Sequence, residues 1–153
     1  MHEAIDKKDI TSDPERVVRC RSLVSEADWI SAWAALRTLR PKLTQADCIG
    51  RKPQLQLDGY NLVGLFEGNQ VVSVARYTIS PHPVFIREMI IHDMATLTGE
   101  QGKGYGSELL DFLDSLALKY GCGRTFVATA KASVFYERNG YTAYATAFKK
   151  VHA

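Results

Sequence analysis

Residues 17–24 carry β-branched residues flanked by charge, the pattern of a strand. Ser25, with Asp28 three positions on, reads as a weak capping box opening a helix. From Glu26 the apolar residues Trp29, Ala32, Trp33, Leu36 and Leu39 recur at three- and four-residue spacing, so one helical face is apolar until Pro41 stops it. Thr44 with Asp47 predicts a second, shorter helix running irregularly toward Pro53 and Gly59. Residues 60–67 and 70–79 then read as two strands. Gly68-Asn69 joins them, and glycine first in a two-residue loop suits a type II′ hairpin turn. Pro81 and Pro83 bracket His82 in an expected loop, and residues 84–97 form a long, partly apolar strand.

Beyond that strand, Leu109, Leu110, Leu113, Leu116, Ala117 and Tyr120 repeat at helical spacing, and Gly121 is placed to end the helix in a left-handed conformation. Residues 124–129 predict a short strand and residues 132–139 a helix closed by Gly140. Residues 141–151, rich in Thr, Tyr, Ala and Phe, predict a final strand. The order β-α-α-β-β-β-α-β-α-β is an α/β layout (α+β, with a mixed sheet). No internal repeat or low-complexity segment interrupts it.

Composition narrows the class. The 153 residues, 46% apolar and 24% charged, suit a single globular domain over residues 17–153, with residues 1–16 as a polar lead-in. A net charge of +2, with basic residues scattered, argues for neither nucleic acid nor a membrane surface as partner. Cys20, Cys48 and Cys122 are odd in number and far apart, which fits reduced cytoplasm better than a disulfide framework or a zinc site. No apolar run reaches the roughly 18 residues of a membrane span, and the acidic N-terminal stretch does not read as a signal peptide.

The densest chemical signal is Gln101-Gly102-Lys103-Gly104-Tyr105-Gly106-Ser107, set between the long strand and an apolar-periodic helix. Three alternating glycines clear side chains from backbone N–H groups at the positive end of that helix, where an anion is favoured. Lys103 adds a mobile point charge suited to phosphate. A dinucleotide fingerprint would read G-x-G-x-x-G, and here the third glycine arrives one residue early. A P-loop needs G-x-x-x-x-G-K-S/T, a spacing that Gly99 and Gly102 do not supply.

The order Q-x-x-G-x-G, followed some thirty positions later by Ala132-x-x-Phe135-Tyr136-x-x-x-Gly140-Tyr141, resembles the GNAT superfamily of acyl-CoA-dependent N-acetyltransferases. The predicted element order resembles that family over almost the whole chain. The resemblance implies acetyl-CoA as co-substrate, bound in a cleft between the fourth and fifth strands, and an amine acceptor. It implies no metal, and it is compatible with a homodimer. Gln101, Gly102, Lys103, Gly104, Tyr105, Gly106 and Ser107 would hold the pyrophosphate, and the backbone of Met94, Ala95 and Thr96 the pantetheine arm and thioester carbonyl. Phe135 would shape the pocket.

Tyr136 matches the family tyrosine that donates a proton or hydrogen bond to the departing thiolate. A phenol can do so without being ionised at neutral pH. His92 and Asp93 stand where related enzymes often carry Glu-Asp. His92 is either a base, direct or water-relayed, or a histidine hydrogen-bonded at the sheet surface, with Glu88 on the same face as the second candidate. Thr129 departs from the asparagine many members carry. Trp29 and Trp33 read as core or as walls of an acceptor pocket, core being preferred. Cys122, between two glycines, has no base partner for nucleophilic catalysis. Two other readings stay open at this point: an acyl-CoA-binding module without catalysis, and another kind of nucleotide-binding protein.

Overall fold

The computed structural model describes residues 17–153, so the proposed lead-in at 1–16 lies outside the described residues. Ten elements follow one another: β1 (Val18–Leu23), α1 (Glu26–Leu39), α2 (Gln45–Gly50), α3 (Lys52–Leu57), β2 (Asn61–Glu67), β3 (Gln70–His82), β4 (Ile86–Thr96), α4 (Tyr105–Lys119), β5 (Arg124–Val127) and α5 (Ser133–Arg138). The five strands form one sheet in the order β1-β2-β3-β4-β5. The first three pairings are antiparallel and the last, β4 with β5, is parallel, so the sheet is mixed.

Local chemistry sets most boundaries. The Ser25 hydroxyl accepts from the Asp28 amide, and the Asp28 carboxylate accepts from the Ser25 amide in return, a reciprocal cap at the start of α1. Thr44 caps α2 by accepting from the Asp47 amide. Gly68 turns the β2–β3 hairpin at φ 61°, and Asn69 is not among the positive-φ residues, as a type II′ turn requires. Gly121 ends α4 at φ 72°.

Each face of the sheet carries its own core. On one face α4 lays Leu109, Phe112, Leu113 and Leu116 over Val63, Leu65, Tyr77, Met89 and Ile91. On the other, α1 and α2 cover Leu62, Val74 and Ala95 with Trp29, Ala32, Leu36 and Cys48. Trp29 is fully buried and its indole N–H donates to the Leu23 carbonyl, so it is core as preferred. Trp33 is half-buried and donates to the Leu43 carbonyl.

Two expected features differ in the structure. The predicted loop at Pro81–Pro83 is strand as far as His82, and the β3–β4 connection is residues 83–85. β2 pairs with β3 only as far as Tyr77, so beyond it one side of β3 is an edge where proline's missing N–H costs no ladder bond. The final strand predicted at 141–151 is not formed. Tyr141 packs against the core, but residues 142–153 make no strand pairing and are exposed. A strand needs an edge to pair with, and a residue pattern alone does not supply one.

Candidate active site

The parallel ladder between β4 and β5 runs only from Glu88/Arg124 to Ile91/Val127, whereas β4 continues to Thr96. From His92 onward β4 has no strand neighbour on that side among the described residues, so the two strands part. On its other side β4 stays bonded to β3: the Leu97 amide donates to the Val72 carbonyl, and the Ser73 hydroxyl donates to the Ala95 carbonyl. Alternation along a strand therefore turns the backbone groups of Met94 and Thr96 toward the splay and those of Ala95 toward β3. The Gln101 side-chain amide already donates to the Thr96 carbonyl, at 3.3 Å, which ties the glycine loop to the end of β4.

The loop carries positive φ at Gly99, Gly102 and Gly104, and Gly104 is the N-cap of α4 at φ 83°. No side chain among the described residues caps the helix there, so its N-terminus presents backbone N–H groups suited to an anion. Gly106 serves a different purpose from Gly104. A methyl group in its place would lie 3.0 Å from the Phe135 ring, so its missing side chain lets α5 close on the first turn of α4. Tyr105 is buried in the core beneath the turn. Lys103 pairs with Glu100 at 3.0 Å on the surface and keeps its charge at the rim of the loop.

Tyr136 bridges the two halves of the site. Its backbone belongs to α5, while its hydroxyl contacts the Met94 sulfur at 3.7 Å on the splayed part of β4. Phe135 and Tyr141 clamp the ring edge-on, at centroid distances of 5.0 and 5.4 Å. Burial raises the Tyr136 pKa above its ordinary value, so the phenol stays protonated at neutral pH. The Thr129 hydroxyl accepts from the Ala132 amide and holds the turn that presents α5.

His92 occupies a bulge. Asp93 pairs with Arg76 and Ile91 with Tyr77, which leaves His92 as the extra residue, immediately past the last β4–β5 pair. Its Nε2 lies 2.8 Å from the Thr78 hydroxyl, and its ring meets that of Tyr60 at 4.7 Å, tilted by 39°. Burial is the largest influence on its pKa and lowers it. Asp93 opposes the shift, while Arg76 and Arg40 add to it, and the imidazole is neutral at pH 7. Neither Thr78 nor Tyr60 carries a sequence signal for this contact, because each depends on cross-strand register and on the chain's return from α3.

Asp93 itself is buried and accepts from the side chains of Arg40 and Arg76, each Nε at 2.7 Å, joining the end of α1 to the sheet. Glu88 is drawn into a pair with Arg124 at the far end of the β4–β5 ladder, four residues from His92, or roughly 13 Å of strand. Among the described residues no group of three His, Cys, Asp or Glu side chains could hold a metal ion. No described helix is long and apolar enough to cross a membrane.

A sequence profile of the acetyltransferase (GNAT) domain matches residues 58–143. No curated protein matches the sequence. Solved structures similar to this one include a transcriptional regulator from Bacillus halodurans, 20% identical, covering 88% of this chain and 99% of that one at a TM-score of 0.78. A second is an aminoglycoside acetyltransferase from an uncultured soil metagenomic sample, solved with sisomicin; it is 15% identical, with 89% and 95% coverage and a TM-score of 0.77. A third is glucosamine-6-phosphate N-acetyltransferase from Arabidopsis thaliana, 16% identical, with 89% and 99% coverage and a TM-score of 0.73. At these identities the likeness shows the fold alone.

Proposed function

The chain belongs to the GNAT acetyltransferase family, and on that premise we propose that it transfers an acetyl group directly from acetyl-CoA to an amine, with His92 and Tyr136 as the proton-handling residues. One observation carries this reading: β4 parts from β5 directly beside an uncapped helix N-terminus, with a protonated phenol lying on the parted strand. The N–H groups of Gly102 to Ser107 hold the pyrophosphate, with Lys103 at the rim and Gln101 fixing the loop to Thr96. The outward backbone groups of Met94 and Thr96 take the pantetheine arm and the thioester carbonyl, and a backbone N–H there stabilises the negative charge that grows on that oxygen as the amine attacks. Ala95 sits between them and bonds to β3.

Acetyl-CoA supplies an activated acyl carbon and a thiol leaving group. The protein supplies position and protons. His92, kept neutral by burial, takes the proton from the attacking ammonium directly or through water. Thr78 fixes one of its nitrogens and Tyr60 its ring plane. Tyr136 donates to the departing sulfur, and the raised pKa of its hydroxyl keeps that proton available across neutral pH. Glu88, held by Arg124, is left as the second candidate for the base. Cys20, Cys48 and Cys122, none of them in a disulfide, fit a reducing compartment, and we assign the reaction to the cytoplasm.

The test is acetyl-CoA consumption, read as released thiol, over a panel of polyamines, amino sugars, aminoglycosides, lysine side chains and peptide N-termini. Turnover with at least one class is expected. Tight acetyl-CoA binding with no turnover on any class would overturn catalysis and leave an acyl-CoA-binding module.

A further inference from the structure

The side chains of Arg76 and Thr78 share one face of β3, because residues alternate along a strand. The Asp93 carboxylate accepts from Arg76, and the His92 ring lies against the Thr78 hydroxyl. Two consecutive residues of β4 therefore put their side chains on that one face, which the bulge at His92 permits and a regular strand would not. The face is the one that α1 covers. Arg40, at the C-terminal cap of α1, reaches Asp93 there, and Tyr60, just before β2, meets the His92 ring.

Two guanidiniums thus share one carboxylate, and the cluster keeps a net positive charge directly beside the proposed base. The two arginines are not equivalent. Arg76 is buried, whereas the Arg40 side chain is 52% exposed. Arg40 commits Nε and Nη2 to a single oxygen of Asp93, and its Nη1 has no hydrogen bond among the described residues. Other carboxylates do not cancel this charge. Glu88, farther along the same face of β4, pairs with Arg124, and Asp58 stands exposed at the end of α3, where solvent screens it. The fields of Arg40 and Arg76 both reach the imidazole and favour its neutral form. A guanidinium with free donors is left here to receive an anion, and no desolvated, unpaired carboxylate of this cluster is left to receive a second ammonium.

We propose that the acceptor is an amine carrying an anion, a carboxylate or a phosphate, a few bonds from its reacting nitrogen, and that Arg40 binds that anion beside His92. This rests on acetyl transfer with His92 as the base and adds the class of the acceptor. Nη1 of Arg40 donates to the anion while Nε stays on Asp93, so the aspartate aims the guanidinium. The bound anion then holds the amine at the imidazole. An acceptor with a second ammonium in that place meets a net positive cluster at short range, so diamines and polyamines are poor substrates. Arg40 sets specificity and takes no part in proton transfer.

The test compares acceptors that share an amine and differ in the anion: β-alanine with β-alaninamide, and O-phosphoethanolamine with ethanolamine, with putrescine as the dication. Rates are read as released thiol at equal concentrations of free amine. The anionic member of at least one pair should exceed its neutral match about tenfold or more in kcat/KM, as for a charge-assisted hydrogen bond at a half-exposed site. The pair that responds tells carboxylate from phosphate, and putrescine should be the poorest acceptor. Arg40→Gln should raise KM for the anionic acceptor by a similar factor, leave kcat within about twofold and leave the neutral match unchanged, and Arg40→Lys should recover part of the loss. Calorimetry of the same ligands on the enzyme with coenzyme A bound separates the two readings. Selective binding of an anionic member without turnover of any amine would overturn acetyl transfer and keep the anion site. Equal kcat/KM within both pairs, a preference for putrescine, or an Arg40→Gln effect of the same size on charged and neutral acceptors would overturn the proposal and leave acetyl transfer standing. Neither turnover nor binding of any of these amines would overturn the proposal as well.

Discussion

Tyr136 is the residue whose chemistry can be isolated most cleanly, because its ring is clamped by Phe135 and Tyr141 while its hydroxyl reaches the Met94 sulfur. Tyr136→Phe therefore keeps the packing and removes only the proton donor. We expect kcat to fall roughly 10- to 10³-fold with little change in KM for acetyl-CoA. Single-turnover kinetics that leave the chemical step within about twofold of wild type would make Tyr136 a packing residue. His92 gives the complementary pH signature. Its pKa is lowered by burial, so the base is neutral at pH 7 and is lost only as pH falls below histidine's ordinary value. Activity should fall on that acidic limb, and His92→Ala should lower kcat/KM on the order of 10²-fold and abolish the limb. A wild-type rate with the same limb in the variant would return His92 to a structural role and make Glu88 the next residue to change.

Elements differ in how far the sequence announces them, and the difference is physical. The Ser25–Asp28 cap, the Gly68-Asn69 turn and the Gly121 stop depend on neighbours within a few residues, so their signals lie in the local sequence, and the structure forms all three. The cleft between β4 and β5 follows from the family resemblance alone; no periodicity marks it. The bulge that sets His92 apart from Asp93 is a matter of register against β3, and no single-strand pattern encodes it. The strand expected at 141–151 fails because a strand composition does not by itself make main-chain bonds to an edge, and residues 142–153 pair with no strand among the described residues.

The glycine loop also divides more finely than its alternating pattern implied, and two substitutions separate the functions. Gly104→Val places a β-branched residue at φ 83°, beside the open N–H groups, and should collapse acetyl-CoA affinity in a protein that still folds. Calorimetry that finds unchanged affinity would contradict the loop's assignment. Gly106→Val instead drives a side chain against Phe135 and should cost about 1–3 kcal/mol of stability by overpacking, read from urea denaturation.

At the scale of the whole molecule, Asp93 ties the end of α1 to the sheet. It is buried, and it accepts from Arg76 within the sheet and from Arg40 at the end of α1. Asp93→Ala leaves the Arg76 guanidinium buried without its partner and should destabilise the fold by about 3–5 kcal/mol. A loss below about 1 kcal/mol in chemical denaturation would show that the cluster is relieved by solvent. The central claim is spatial: one co-substrate lies across the parted strand and the helix N-terminus together. Amide hydrogen exchange with and without acetyl-CoA measures that directly. The account predicts protection at Met94 and Thr96 and across Gly102 to Ser107. Binding that protects neither stretch, or that protects amides elsewhere in the domain, would contradict it.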